Sequence, residues 1–255
     1  MIGEIKMPST KDIDLKGDPL KILFVGENGT GKSLALASFY KAGSLRIADF
    51  DGRLKPIKSR FPEADISYDT FGADNFRQFL DEIEKLQDNC PWKSWALDSV
   101  TSSSACSIVF QLVMKDKMKT TKGGLPATSW DEVNGETVLF TKMLEVMKII
   151  HRKHKTNILW TAHPIPKTEI GNDGTVNRTT SLASYGNKVP AIVPGYFDEI
   201  YNFQKEKVGM DSYKYMVYTV PKNNLPGKTA FANLPNSFDI TGKNFYETLM
   251  SLLAK

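Results

Sequence analysis

Gly26-Glu27-Asn28-Gly29-Thr30-Gly31-Lys32-Ser33 fits the pattern G-x-x-x-x-G-K-[ST] at every specified position. Glycines at those places let the backbone curl so that its N–H groups form an anion-binding nest at the start of a helix. The octet therefore predicts a phosphate-binding loop. Gly26 to Ser33, with Leu34 behind them, cradle the nucleotide, Lys32 reaches the β- and γ-phosphates, and the Ser33 hydroxyl ligates Mg²⁺. A glycine-rich turn with a solvent-facing lysine is the plain alternative, and the flanks argue against it. Lys21-Ile22-Leu23-Phe24-Val25 is a short apolar run suited to a buried parallel strand, and Leu34 to Ala42 read as a helix closed by Gly43.

Working outward, strand-like and helix-like segments alternate. Leu45 to Asp51 reads as a strand ending in two acids, and Ile66 to Phe71 as another. From Asn75 to Leu86 the residues Phe76, Phe79, Leu80, Ile83 and Leu86 recur at helical spacing. Trp95 to Ser99 is a strand, a helix spans about Glu132 to Lys155, and Asn157 to His163 is a further strand stopping at Pro164. The order predicts an α/β fold with a mostly parallel central sheet flanked by helices. Asp198 to Gln204 and Ser212 to Val220, around a turn at Gly209, predict antiparallel strands at one edge, and Asn244 to Leu253 a closing helix.

The expected organisation is a polar segment, 1–19, followed by a single domain over 20–255 with two exposed loops, 115–128 and 166–194. At 41% hydrophobic content the chain can bury a full core. The net charge of +4 neither demands nor excludes nucleic acid, and only six of the 33 basic residues are arginines, so base-edge readout by arginine forks is a minor theme. Cys90 and Cys106, with no metal-ligand spacing among Cys and His, indicate neither a disulfide framework nor a zinc module. No apolar stretch is long enough to span a membrane, which predicts a cytoplasmic protein with no membrane partner.

Three strand ends carry candidate chemistry. Asp98 closes an apolar strand and is placed to hold Mg²⁺ through water or Ser33, the plain alternative being a cap on the next helix. Asp49 and Asp51 supply acids for orienting an attacking water; period-two alternation puts both on one face, and Asp51 is favoured. Because Asp51-Gly52 is also an ordinary turn, a structural role stays open. His163 is level with the other strand ends, where it can sense the γ-phosphate, or serve as a satisfied structural histidine. His151 to Lys155 suit a helix C-terminus, with a phosphate-contacting patch as the alternative.

The phosphate loop, Ile47–Asp51, Ala96–Val100 and Leu159–His163, in that order, resemble the RecA-like ATPase core. The likeness is nearest to the short phage-type RecA-like ATP-binding proteins of recombination and single-strand annealing. Pro194–Tyr201 and Pro221–Asn224 look like that family too, and the likeness covers about residues 20 to 240. It implies Mg²⁺-dependent ATP hydrolysis inside a phage or bacterial cell by a homo-oligomeric ring or filament with nucleotides between subunits. It also implies single-stranded DNA as partner, and a single-strand DNA-binding protein as a further one. The family's catalytic glutamate falls on the shorter Asp51, and its polar sensor on His163. Its DNA-binding loops fall on the two predicted loops, making Lys115, Lys117, Lys119, Lys122, Lys167 and Arg178 the DNA-binding candidates. Where many members place a trans-acting arginine, this chain offers Lys222 and Lys228. Competing classes are a ring motor or loader acting on protein or duplex DNA, and a nucleotide-gated scaffold with little hydrolysis. A third, a small-molecule phosphotransferase, needs an arginine-bearing lid that the scattered arginines do not obviously supply.

Overall fold

The computed structural model describes residues 17–115, 129–170 and 176–254. The apolar run before the phosphate loop is strand β1 (Lys21–Gly26), and the loop opens helix α1 (Lys32–Ala37). The helix then tightens into a 3-10 turn, Ser38–Ala42, before Gly43 ends it. Ser38 explains the change: its Oγ donates to the Ala35 carbonyl at 2.6 Å and accepts from the Tyr246 N–H at 3.0 Å. There follow β2 (Leu45–Asp49), α2 (Lys55–Arg60), β3 (Ile66–Thr70), α3 (Phe76–Leu86), β4 (Ser94–Asp98), α4 (Val100–Met114) and α5 (Trp130–His154). The chain continues through β5 (Asn157–Ala162), β6 (Pro164–Ile170), β7 (Val176–Leu182), α6 (Val189–Ile192) and a 3-10 turn at Val193–Tyr196. It closes with β8 (Glu199–Lys207), β9 (Tyr213–Tyr218), β10 (Ser237–Asp239) and α7 (Phe245–Leu253).

Among the described residues the main sheet runs β10-β9-β8-β1-β5-β4-β2-β3. Pairing is parallel from β8 to β3, while β9 and β10 are antiparallel, giving the expected fold class. Parallel strands present all their C-terminal ends at one rim, so the ends of β1, β2, β4 and β5 meet where ligands bind in open α/β sheets. Both faces of β1 are buried, which is why its sequence reads as a continuous apolar run instead of an alternation. Leu23 and Val25 pack into a core shared with Phe79, Trp95, Phe140 and Trp160. Ile22 and Phe24 face the opposite core with Leu36, Phe39 and Phe245. Around Phe24 the rings of Phe39, Tyr201, Phe203 and Phe245 lie at centroid distances of 5.5 to 6.5 Å, all near edge-on, which suits the quadrupoles of close-packed aromatics.

Two departures from expectation matter for function. Residues 166–194 are not one long loop, and Pro164, before which β5 ends as expected, begins a further strand. β6 and β7 form an antiparallel ribbon, in register from Pro164 opposite Leu182 to Ile170 opposite Val176, and α6 with its 3-10 turn follows. A two-stranded ribbon has a free edge on each strand, so Pro164 and Pro166 cost it no obligatory ladder bond, and Thr168, Ile170, Val176, Thr179 and Thr180 suit extended backbone. The predicted loop 115–128 lies, apart from Lys115, outside the described residues. No helix among the described residues is long and apolar enough to cross a membrane.

Candidate nucleotide site

The phosphate loop leaves the sheet where only glycine fits: a Cβ on Gly26 would stand 2.4 Å from the Phe203 carbonyl oxygen of β8. Gly31, at φ +96°, adopts the left-handed conformation that turns the loop into α1, and Thr30 Oγ1 ties the loop to the Glu27 carbonyl at 2.8 Å. The Lys32 side chain folds back beneath this arch. Its Nζ donates to the carbonyls of Gly26 at 2.7 Å and Glu27 at 2.9 Å, and lies 3.4 Å from His163 Nδ1. Burial pulls the ammonium down to about 8 even though Asp98 and Asp51 act to raise it. Among the described residues it has no carboxylate at ion-pair distance, so this buried cation is set to receive an anion.

Asp49 and Asp51 do not share a face. β2 ends at Asp49, whose Oδ1 accepts from the backbone N–H groups of Asp51 at 3.0 Å and Gly52 at 2.9 Å, forming the turn. Its Oδ2 has no hydrogen-bond partner, and burial pushes the carboxyl up. The turn swings Asp51 toward the site, where its Oδ1 accepts from Ser99 Oγ at 2.9 Å and Ser102 Oγ at 2.5 Å, and its Oδ2 stands 3.5 Å from His163 Nε2. Burial acts to raise Asp51, but the hydrogen bonds from His163, Ser102 and Ser99 outweigh it and hold the carboxyl at about 2.

Asp98 is buried between Thr161, whose hydroxyl donates to its Oδ1, and Ser33, and burial pushes it up against those two hydrogen bonds. It does not cap α4. That role belongs to Ser99, whose Oγ accepts from the Ser102 N–H, and the peptide between Asp98 and Ser99 is cis. His163 thus touches the loop lysine through one ring nitrogen and Asp51 through the other, the arrangement of a tautomer whose Nδ1 accepts and whose Nε2–H faces the carboxylate. Its backbone is clamped as well: His163 N donates to Thr101 Oγ1 at 3.1 Å, and its carbonyl accepts from Ala183 N at 2.8 Å across the root of the β6–β7 ribbon.

Of these groups, Lys32, Ser33, Asp51 and His163 line a cleft of about 520 Å³. Apolar side chains wall the rest: Phe61 beyond α2, Ile240 before α7, Phe245 of α7, and Tyr215 of β9, whose ring reaches back toward Gly31 of the loop, with Lys243 beside them. Two arginines also line it: Arg53 Nη1 donates to Asn28 Oδ1 at 3.3 Å, and Arg60 Nη2 to the Gly242 carbonyl at 3.0 Å. The arginines are therefore not all scattered. Asp51 followed at two residues by an arginine was a legible hint; the apolar wall, drawn from distant segments, carries no local signal.

The remaining candidates lie elsewhere. Lys222 Nζ donates to Tyr218 Oη at 2.6 Å and sits 3.5 Å from Glu206, while Lys228 Nζ donates to the Phe197 carbonyl at 2.9 Å. Lys115 pairs with Glu132 at 3.1 Å; Lys117, Lys119 and Lys122 lie outside the described residues. Lys167 and Arg178 occupy neighbouring rungs of the β6–β7 ribbon, opposite Thr179 and Thr168. In the basic cluster closing α5, His151 faces the Thr156 carbonyl just beyond the helix, and Lys153 and His154 face that of Gln87, so these side chains serve the C-terminal end of the neighbouring α3.

Fold and site together define a phosphate-loop nucleotide-binding protein built on a mostly parallel α/β sheet. A family model described as an AAA domain matches residues 18–231, and the chain belongs to that family of ATPases. No curated protein matches the sequence. Among solved structures, the chain is similar to the flagellar accessory protein FlaH from Methanocaldococcus jannaschii, at 13% identity over 88% of this chain and 85% of that one, with a TM-score of 0.44. The family binds nucleotide, typically with Mg²⁺, and the residues fit both. Among the described residues the buried Lys32 ammonium is held by carbonyls and no carboxylate, and the Ser33 and Asp98 oxygens stand together, suiting a cation that takes one or two protein oxygens alongside phosphates.

Proposed function

We propose that this ATPase couples hydrolysis of Mg²⁺-ATP to a grip on single-stranded DNA, working as an oligomer in recombination or strand annealing. The observation that carries the reading is His163, in contact with both Lys32 and Asp51 and at the same time the residue from which the β6–β7 ribbon springs. Lys32 neutralises the phosphates. Asp51, ionised across the physiological range, accepts a hydrogen bond from the attacking water and orients it, with Ser99 and Ser102 fixing the carboxylate. When bound, Mg²⁺-ATP supplies the anhydride to be cleaved and a divalent charge that Ser33 and Asp98 would hold. Any shift at Lys32 or Asp51 moves the imidazole, and with it the root of a ribbon that carries Lys167 and Arg178. ATP turnover with and without single-stranded DNA tests this: the reading expects stimulation. Turnover indifferent to single strands but raised by duplex DNA or a protein partner assigns the chain to the ring motors or loaders.

One observation favours a second reading, the nucleotide-gated scaffold. Both carboxylate oxygens of Asp51 are engaged, and the side chain is only 8% exposed. An acid so held orients a water only after giving up a partner. Single-turnover hydrolysis slow against nucleotide-dependent assembly would select that reading.

A further inference from the structure

We infer that Arg53 is the contact for the terminal phosphate, supplied by the same subunit, by which this chain distinguishes a nucleoside triphosphate from a diphosphate. The inference rests on the ATP-hydrolase reading above. Its first support is placement. The Asp49 carboxylate pins the N–H groups of Asp51 and Gly52, so the backbone entering Arg53 is fixed relative to the acid that orients water. The guanidinium then reaches across to the phosphate loop and meets the Asn28 side chain at 3.3 Å. Asn28 directly follows Gly26 and Glu27, whose carbonyls hold the Lys32 ammonium, and it lies at the opposite end of the loop from Ser33 and α1. With Lys32 directed at the β- and γ-phosphates, the end marked by Asn28 and Asp51 is where the last phosphate comes to rest.

The second support is charge. Arg46 is locked to Asp69 and Glu82 at 2.6 Å, and Arg77 to Asp81 at 3.0 Å. Arg53, among the described residues, pairs with no carboxylate; its guanidinium donates to the neutral Asn28 side-chain carbonyl. An exposed guanidinium bearing a single long contact keeps most of its donor fork free for phosphate oxygens, and lining the cleft beside Asp51 gives it a direction in which to use them. It also acts to lower the Lys32 ammonium, as a second cation trained on the same space must. Arg60, the other arginine of the cleft, is tied to the Gly242 carbonyl toward the apolar end, so the two guanidinium groups are expected to discriminate differently.

Equilibrium binding of a non-hydrolysable ATP analogue and of ADP, by wild type and by Arg53→Ala, Arg53→Lys and Arg60→Ala, tests the inference. Arg53→Ala should lose roughly ten- to a hundredfold for the triphosphate, the worth of one charge-assisted contact, with ADP affinity unchanged. Arg53→Lys should recover part of the loss, and Arg60→Ala should weaken both ligands alike. Loss of both ligands equally, or of neither, in Arg53→Ala overturns the assignment. Because Arg53 is exposed, folding is not at stake. Wild-type protein that binds neither nucleotide would overturn the ATP reading itself and this inference with it, so the two failures are distinguishable.

Discussion

The two ends of the cleft are built in opposite ways. At the phosphate end each group belongs to the octet or lies within a few residues of the C-terminal end of β2, β4 or β5, and Lys32, Asp51 and His163 are bound to one another or to neighbours within 3.5 Å. At the apolar end Phe61, Tyr215, Ile240 and Phe245 come from segments far apart in the chain and share only a place in the folded molecule. Charge recognition is thus written in local sequence, whereas the second wall exists only once β9, β10 and α7 have packed beside β8. The contrast predicts steep, chemistry-specific losses at one end and shallow losses, proportional to area, at the other.

The steepest loss is expected for Lys32→Ala. It removes the loop's only side-chain cation and should abolish tight nucleotide binding while the fold persists, as read by equilibrium binding beside a thermal melt. Unchanged affinity would sink the phosphate-loop assignment and erase the contrast. Next comes Asp51→Asn, expected to leave binding near normal and slow hydrolysis by roughly two to four orders of magnitude, the scale of losing a general base. Asp49→Asn keeps an oxygen to accept from the Asp51 and Gly52 N–H groups, so it should hydrolyse ATP at close to the wild-type rate. The opposite result in this pair of variants would exchange the two roles.

Tyr215→Ala should cost far less. Losing part of one aromatic wall is worth about 1–2 kcal/mol, or roughly tenfold in affinity, felt equally by ATP and ADP and with turnover at saturation unchanged. A variant that instead lost turnover at full saturation would show that the apolar end takes part in the chemistry, and the division drawn here would fail.

What sequence could reveal follows the same division. β1, the loop, Asp98 and His163 were legible because a motif and a run of strand-end polar residues need no knowledge of the rest of the fold. α4 was not, since Ser99, Ser102, Ser103, Ser104 and Ser107 look like loop composition. In the structure Ser103 and Ser107 donate to their own helix's carbonyls at 3.0 and 2.8 Å, Ser99 caps it, and Ser102 serves Asp51. The β6–β7 ribbon was hidden by its prolines. Asp49 and Asp51 were indistinguishable under strict alternation, and only the turn that Asp49 itself builds separates them. Arg53 passed as one arginine among six because nothing in one dimension shows that Arg46 and Arg77 are already paired.

The gentlest perturbation, a change of pH, is also the sharpest probe of the contrast, because burial lowers the Lys32 ammonium at the phosphate end. In the free protein burial lowers Lys32 to about 8. Phosphates arriving beside it favour the ammonium and must raise that value in the complex. Below the free-state value Lys32 is already charged and affinity does not depend on its proton. Above it, binding must take up a proton, and affinity falls as pH rises, by up to about tenfold per unit, until the value of the complex is passed. Asp51, held at about 2, stays ionised throughout and adds no slope. Binding titrations between neutrality and the onset of alkaline unfolding should therefore bend downward at about the free-state value of Lys32, with calorimetry in two buffers of unlike ionisation heat reporting net proton uptake. Tyr215→Ala should displace the whole curve without moving its bend, since it removes apolar area and leaves Lys32 in place. A flat profile with no proton uptake would mean that Lys32 keeps its charge in the free cleft. Burial would then not hold that ammonium below the ordinary lysine range, and the strained cation on which the contrast depends would be lost.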